Sequence, residues 1–132
     1  MKRIHIVAAI ILNTQQNQIF ITKRPEKSHK GGYWEFPGGK VEGEESAQQG
    51  LIRELQEEVD ITATEMTLFE HFDFDYPDKS LTFDFFMISA FDGQPYGKEG
   101  QEGKWVTIGE LKDYPFPEAN EPVLEKVIKR FA

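Results

Sequence analysis

Glu54, Glu57 and Glu58 stand in a segment whose apolar residues Ala47, Leu51, Ile52, Leu55 and Val59 recur at three- and four-residue spacing, the pattern of a helix with one buried face. With about 100° between successive residues of a helix, the carboxylates share one face beside that apolar stripe. An acidic helical face is ordinarily no more than solvated. Here, however, like charges stand three and four residues apart, an arrangement that costs roughly a few tenths of a kcal/mol per pair unless something offsets it. Arg53 is the only base between Ser46 and Asp60. Clustered carboxylates are what a hard divalent cation such as Mg²⁺ takes as oxygen ligands, or as partners for its waters.

The surrounding charge is polarised. From Glu35 to Asp60 there are eight acids and two bases, whereas Lys23, Arg24, Lys27 and Lys30, just before, are opposed only by Glu26. A basic stretch thus abuts an acidic one. Arg24 and His29 lie in the basic stretch, where by themselves they read as solvated loop residues. The chain as a whole, with 132 residues and a formal net charge of -8, is poorly suited to bind a nucleic-acid polymer through its phosphates. It has no cysteine, which excludes disulfides, thiolate catalysis and Cys-based metal centres.

These residues need elements to position them. The length predicts one domain over residues 1–132. Ile4 to Leu12 and Gln18 to Lys23 flank a polar turn and read as a strand pair. The first of these is expected to be a strand rather than a leader peptide, since it contains His5 and runs into Asn13 to Asn17 without a small-residue cleavage site. No stretch approaches the roughly 18 apolar residues of a membrane span, and a cytoplasmic location is expected. Trp34 to Phe36 reads as a short strand ended by Pro37-Gly38-Gly39, residues that break regular structure. Ser46 to Val59 is the acidic helix. Thr67 to Asp75 and Leu81 to Phe91, rich in aromatic and β-branched residues, form a hairpin whose alternation at 72, 74, 76 and at 81, 83, 85 is read as one set on each face. A Gly-rich stretch from Asp92 to Gly103, a strand at Lys104 to Ile108 and a C-terminal helix with Pro122 in its first turn complete the chain. Strands interrupted by two helices predict an α/β fold with a mixed β-sheet between helices.

Gly39, Glu45 after five intervening residues and, after seven more, Arg53-Glu54-Leu55-Gln56-Glu57-Glu58-Val59-Asp60-Ile61 resemble the signature of the Nudix hydrolases. So many fixed positions at fixed spacing are far more specific than a lone Gly-rich loop. One position departs from the pattern, which has Gly where this chain has Asp60. At the end of a helix a left-handed conformation is usual, and Asp adopts it at some cost. The resemblance extends to Phe20-Ile21-Thr22-Lys23-Arg24, Glu35-Phe36-Pro37-Gly38-Gly39-Lys40, Gly97-Lys98-Glu99-Gly100 and Ala119-Asn120-Glu121-Pro122-Val123, nearly the whole chain.

The resemblance implies the Nudix α/β/α sandwich and hydrolysis of a nucleoside triphosphate to the monophosphate and pyrophosphate, with 8-oxo-dGTP as the preferred substrate in a nucleotide-sanitising role. It implies Mg²⁺, with Mn²⁺ as a substitute, held by the Gly38 carbonyl, Glu54, Glu57, Glu58 and Glu99. Glu54 is the first choice as general base and Glu99 the second, while Glu45 and Arg53 orient the helix and its loop. Arg24, His29, Glu35, Phe36, Pro37, Gly38 and Asn120 are expected to hold the nucleotide. Asn120, which by itself reads as a helix cap, has an amide able to accept from the N7–H of an 8-oxidised guanine and donate to O6. A small nucleotide is the expected partner, without polymer or membrane, for a monomer. The alternatives are a Nudix pyrophosphohydrolase of another nucleotide and a catalytically silent nucleotide-binding module.

Overall fold

The computed structural model describes residues 3–24 and 31–131. His29 therefore lies outside the described residues, as do Lys27 and Lys30. The sheet is mixed. Its centre is β1 (Arg3–Leu12), which runs parallel to β6 (Lys79–Asp92), and β6 pairs antiparallel with β5 (Thr62–Tyr76) at one edge. Because both faces of β1 are covered, it is apolar almost without interruption rather than alternating. Val7, Ala9 and Ile11 face α1 (Ala47–Glu58), packing with Leu51, Leu55 and Val59. Ala8, Ile10 and Leu12 face the opposite layer, which holds α2 (Glu121–Phe131) through Val123, Leu124 and Val127. The result is the expected α/β/α sandwich. Among the described residues no helix is long and apolar enough to cross a membrane.

The other edge of β1 positions the site. Ile11 and Leu12 pair with Phe20 and Ile19 of β2 (Gln18–Lys23), but further along Ile6, Val7 and Ala8 pair instead with Lys40, Gly39 and Gly38 of β4 (Gly38–Lys40). β2, having left β1, pairs through Thr22 and Lys23 with Glu35 and Trp34 of β3 (Trp34–Glu35). The outer side of β2 is taken by β7 (Gly103–Thr107). β1 and β2 thus splay apart, and residues 34–40 are wedged between them. The Ala9 N–H completes the seam by donating to the Pro37 carbonyl at 2.8 Å.

Two expectations are corrected by this register. Pro37-Gly38-Gly39 does not end strand structure, because Gly38 and Gly39 pair with β1. Nor do the residues at 72, 74, 76 and at 81, 83, 85 divide between faces. Phe72 lies opposite Phe83 and Phe74 opposite Leu81, and directly opposed residues of an antiparallel pair point to the same side. All six join the α2 layer, while Phe86 and Phe91 of the same hairpin pack on the α1 side. The hairpin is also longer than its aromatic run, with only Pro77 and Asp78 left as the turn.

The helices begin and end as their sequences dictate. Ser46 Oγ accepts from the Gln49 N–H at 3.1 Å while Gln49 Oε1 accepts from the Ser46 N–H at 2.9 Å, a reciprocal cap that satisfies two donors at the start of α1. Beyond its end Asp60 stands at φ +59°, the left-handed conformation that the Gly of the family pattern would take freely. The wedge yields a stability prediction. A Cβ on Gly38 would lie 2.0 Å from the Val7 carbonyl oxygen and 2.7 Å from the Ala8 Cα, backbone atoms that cannot yield. Gly38→Ala is expected to cost about 3 kcal/mol, the upper end of the usual overpacking range, seen as a lower urea midpoint with an unchanged slope.

Candidate active site

Wedging residues 34–40 into the sheet brings their backbone against the carboxylates of α1. The Gly38 N–H donates to Glu58 Oε2 at 3.2 Å, and Thr22 Oγ1 donates to Glu58 Oε1 at 3.5 Å. A Cβ on Gly39 would lie 2.4 Å from the carboxyl carbon of Glu54, so only a glycine leaves room for that carboxylate. Glu58 is 7% exposed. Burial, followed by the charge of Glu35 and then by those of Glu99 and Glu54, pushes its pKa up to about 8 against the pull of the Gly38 N–H. Glu54 is also raised, chiefly by burial, with Arg53 opposing.

Arg53 organises the outer side of the helix. Its Nε and Nη2 donate to Glu45 Oε2 and Oε1 at 2.7 and 3.1 Å, Nη2 donates to the Lys40 carbonyl at 3.0 Å, and Nη1 reaches Glu54 Oε1 at 3.0 Å and Glu57 Oε1 at 3.2 Å. The two-pronged bond to Glu45 fixes orientation as well as charge. The same bond, with the Glu42 N–H, holds Glu45 below the ordinary carboxylate range. Glu45 and Arg53 thus tie α1 to β4 and the loop after it.

The acidic face is therefore graded rather than uniform. Glu58 is buried, the Glu54 side chain is 19% exposed, and the Glu57 side chain, 55% exposed, turns toward Arg53. Among the described residues no three His, Asp or Glu side chains converge closely enough to hold an ion as they stand. The donor chemistry nevertheless fits a hard cation. Glu58 is surrounded by the charges of Glu35, Glu54 and Glu99, all hard oxygen donors whose mutual repulsion a divalent cation would relieve.

Two cavities meet here. One, of about 500 Å³, is lined by Lys23, Arg24, Glu35, Glu58, Glu99, Gly100, Gln101 and Glu102. The other, of about 450 Å³, has largely apolar walls that include Ile6, Phe36, Leu81 and Phe83, with Gly38, Tyr76, Lys79 and Asn120 around them. Arg24 and Glu35 belong to both, and Arg24 Nη1 donates to Glu35 Oε1 at 2.7 Å. Burial raises the Glu35 pKa and Arg24 opposes the rise. Asn120, 9% exposed, lines the apolar cavity.

The structure thus gathers Arg24, Glu35, Glu58 and Glu99 around one cavity and Phe36, Gly38 and Asn120 around the next. Glu54 lies behind Gly39, Glu57 stays at the rim, and the Pro37 carbonyl is engaged by Ala9. Sequence reasoning missed Gln101, whose Nε2 donates to the Glu58 carbonyl at 3.1 Å and whose Oε1 accepts from the Glu99 N–H at 3.0 Å. It also missed Tyr76 and Lys79 as wall residues. Lys23 was visible only as part of a basic run.

A buried carboxylate cluster beside a cavity that shares Arg24 with an apolar chamber, built on a mixed sheet between helices, suits a ligand that brings phosphates and a cation. The NUDIX domain profile matches residues 7–126, and the chain belongs to the Nudix family. It is 44% identical over 127 residues to an 8-oxo-dGTP diphosphatase of Escherichia coli K12, covering 96% of this chain and 98% of the relative. It is 36% identical over 125 residues to a CTP pyrophosphohydrolase of the same organism, covering 95% and 91%. A solved structure from an analysis of MutT from Aliivibrio salmonicida and Vibrio cholerae superposes with a TM-score of 0.91 at 60% identity, covering 98% of this chain and all of that one.

The Glu58 environment predicts a pH dependence. A carboxyl whose pKa is raised on folding contributes fully to stability below its ordinary value of 4.5 and loses that contribution as pH rises through about 8. In chelator, the melting temperature should fall between about pH 5 and 9. Glu58→Gln should flatten the fall, and Mg²⁺ should restore more stability at the alkaline end than at the acid end.

Proposed function

We propose that this chain hydrolyses 8-oxo-dGTP to 8-oxo-dGMP and pyrophosphate, removing an oxidised precursor from the nucleotide pool. The observation that carries the reading is the pair of cavities joined at Arg24 and Glu35, one lined by carboxylates and the other an apolar chamber with Asn120 in its wall. The names of its relatives agree with it. In this reading the 132 residues act as one unit, a cytoplasmic monomer whose partner is a free nucleotide.

Glu54, Glu57, Glu58 and Glu99, with the Gly38 carbonyl, would hold Mg²⁺ or Mn²⁺, which supplies charge neutralisation on phosphate oxygens and a lower pKa for water. Glu54 accepts the proton from a water attacking the β-phosphorus. The bond from that phosphorus to the oxygen bridging it to the α-phosphorus breaks, so the new oxygen leaves in pyrophosphate and the bridging oxygen stays on the monophosphate. Its raised pKa suits Glu54 to this work, because a base titrating closer to the working pH both exists in the right form and holds the proton better. Arg53 and Glu45 keep Glu54 over Gly39, Glu99 stands second as base, and Arg24, with His29, takes phosphate charge. Phe36 and the backbone of Glu35 to Gly38 enclose the base.

Asn120 discriminates between guanines. Oxidation at C8 turns N7 into a donor, so the amide oxygen accepts from N7–H while its NH₂ donates to O6. Ordinary guanine offers two acceptors, leaving the amide oxygen facing a lone pair. Selection against CTP follows from the same pairing, and a nucleotide panel with product identification separates the two readings.

Three outcomes are expected. Glu54→Gln should lower kcat by about 10²- to 10⁴-fold, the usual contribution of a general base, and in H₂¹⁸O the label should enter pyrophosphate alone. Asn120→Ala should reduce the preference for 8-oxo-dGTP over dGTP by about tenfold or more, since an unpaired buried polar group costs about 1–3 kcal/mol. Near-native turnover or unchanged preference would remove the role assigned to each residue.

A further inference from the structure

The last turn of α1 contains no base, although it ends in Glu57 and Glu58 and at the negative pole of the helix. Its free carbonyls are taken up by the segment between β6 and β7. The Tyr96 N–H donates to the Val59 carbonyl at 3.2 Å, the Lys98 N–H to the Glu58 carbonyl at 3.0 Å, and the Lys98 Nζ to the Gln56 carbonyl at 3.4 Å. A cation at this end of a helix is stabilising, and here it comes from a distant loop. The same Nζ lies 3.2 Å from Asp60 Oδ1. Asp60 is the residue that departs from the family pattern and holds a left-handed backbone at φ +59°. Gly would take that conformation without strain, but it could not offer a carboxylate. Lys98 is followed directly by Glu99, which lines the same cavity as Glu58 and adds to its charge environment.

We propose that Asp60 is a positioning residue: by holding the Lys98 ammonium over the final carbonyls of α1, it fixes the loop that presents Glu99 opposite Glu58 and strengthens the site's hold on a divalent cation. The inference rests on the reading of Glu99 as a cation ligand. It separates two effects of one side chain, since the backbone strain acts on folding and the carboxylate acts on the loop.

Titration of the metal-free protein with Mn²⁺ alone, followed by electron paramagnetic resonance, tests it alongside melting temperatures. Asp60→Gly should melt no lower than the parent, because strain is relieved, yet bind Mn²⁺ about two- to fivefold more weakly, the span set by an exposed ion pair. Asp60→Asn, which keeps an acceptor for Lys98 without the charge, should fall between. Lys98→Met should weaken binding to a similar degree, and the double variant should be no weaker than either single one. Glu99→Gln is the reference. If it binds Mn²⁺ as the parent does, the reading of Glu99 fails and this inference with it. If Glu99→Gln is weakened while Asp60→Gly is not, the role of Asp60 is overturned and that of Glu99 stands.

Discussion

Everything at the site depends on two α-carbons that carry no side chain. Glu58 bonds to the backbone at Gly38, and Glu54 lies where a Cβ of Gly39 would be. That closeness requires the segment carrying them to be held inside the sheet rather than draped over it, which in turn requires β1 and β2 to separate after two paired positions. The separated strands keep their hydrogen bonds by pairing with β4 and β3 instead, which offsets the cost of unpaired buried backbone that ordinarily forbids such a gap. Helix, wedge and splay are therefore one device. It sets carboxylates against backbone at a depth where their charge is poorly solvated.

The electrostatics follow from that depth. A run of acids between Glu35 and Asp60 looks in the sequence like a property of the surface, yet its members have different fates. Glu42, Glu45, Glu54 and Glu57 all lie within reach of the single guanidinium of Arg53. Glu35 pairs with Arg24. Glu58 is left with backbone and hydroxyl donors among like charges, and its pKa is displaced the most of these carboxylates. Arg53 absorbs the repulsion that would otherwise splay the helix from its loop, and the charge that remains concentrates at one buried position. That is why the overall acidity disfavours a polyanion without disfavouring a small phosphate ester accompanied by a cation.

Much of this was legible in the residues. The helical spacing of Leu51, Leu55 and Val59 located α1 and its buried face correctly, the family signature placed the carboxylates, and the left-handed turn at Asp60 followed from where a helix must end. Pro37-Gly38-Gly39 misled because Gly is a weak strand former in isolation, whereas here its small size is what admits it to a sheet. The hairpin faces misled because alternation gives the period of a strand and not its register, which the two-residue turn decides. Gln101 and the hairpin tip carry no local pattern. Their role exists only once chain folding brings residues 76 to 79 and 98 to 101 over the cavities.

The wedge also makes the site uneven in the way it can open. Residues 34–40 are bonded to interior strands on either side, so they can detach only when the centre of the sheet comes apart, and the part of the site formed by Glu35, Phe36 and Gly38 persists for as long as the protein is folded. The Gly-rich segment from 93 to 102 is fastened chiefly to the end of one helix. Segments tied by few exposed bonds open at a small fraction of the global free energy. The wall that carries Glu99 is therefore the more easily opened side of the two cavities, and the wall formed by Glu35, Phe36 and Gly38 the more rigid one.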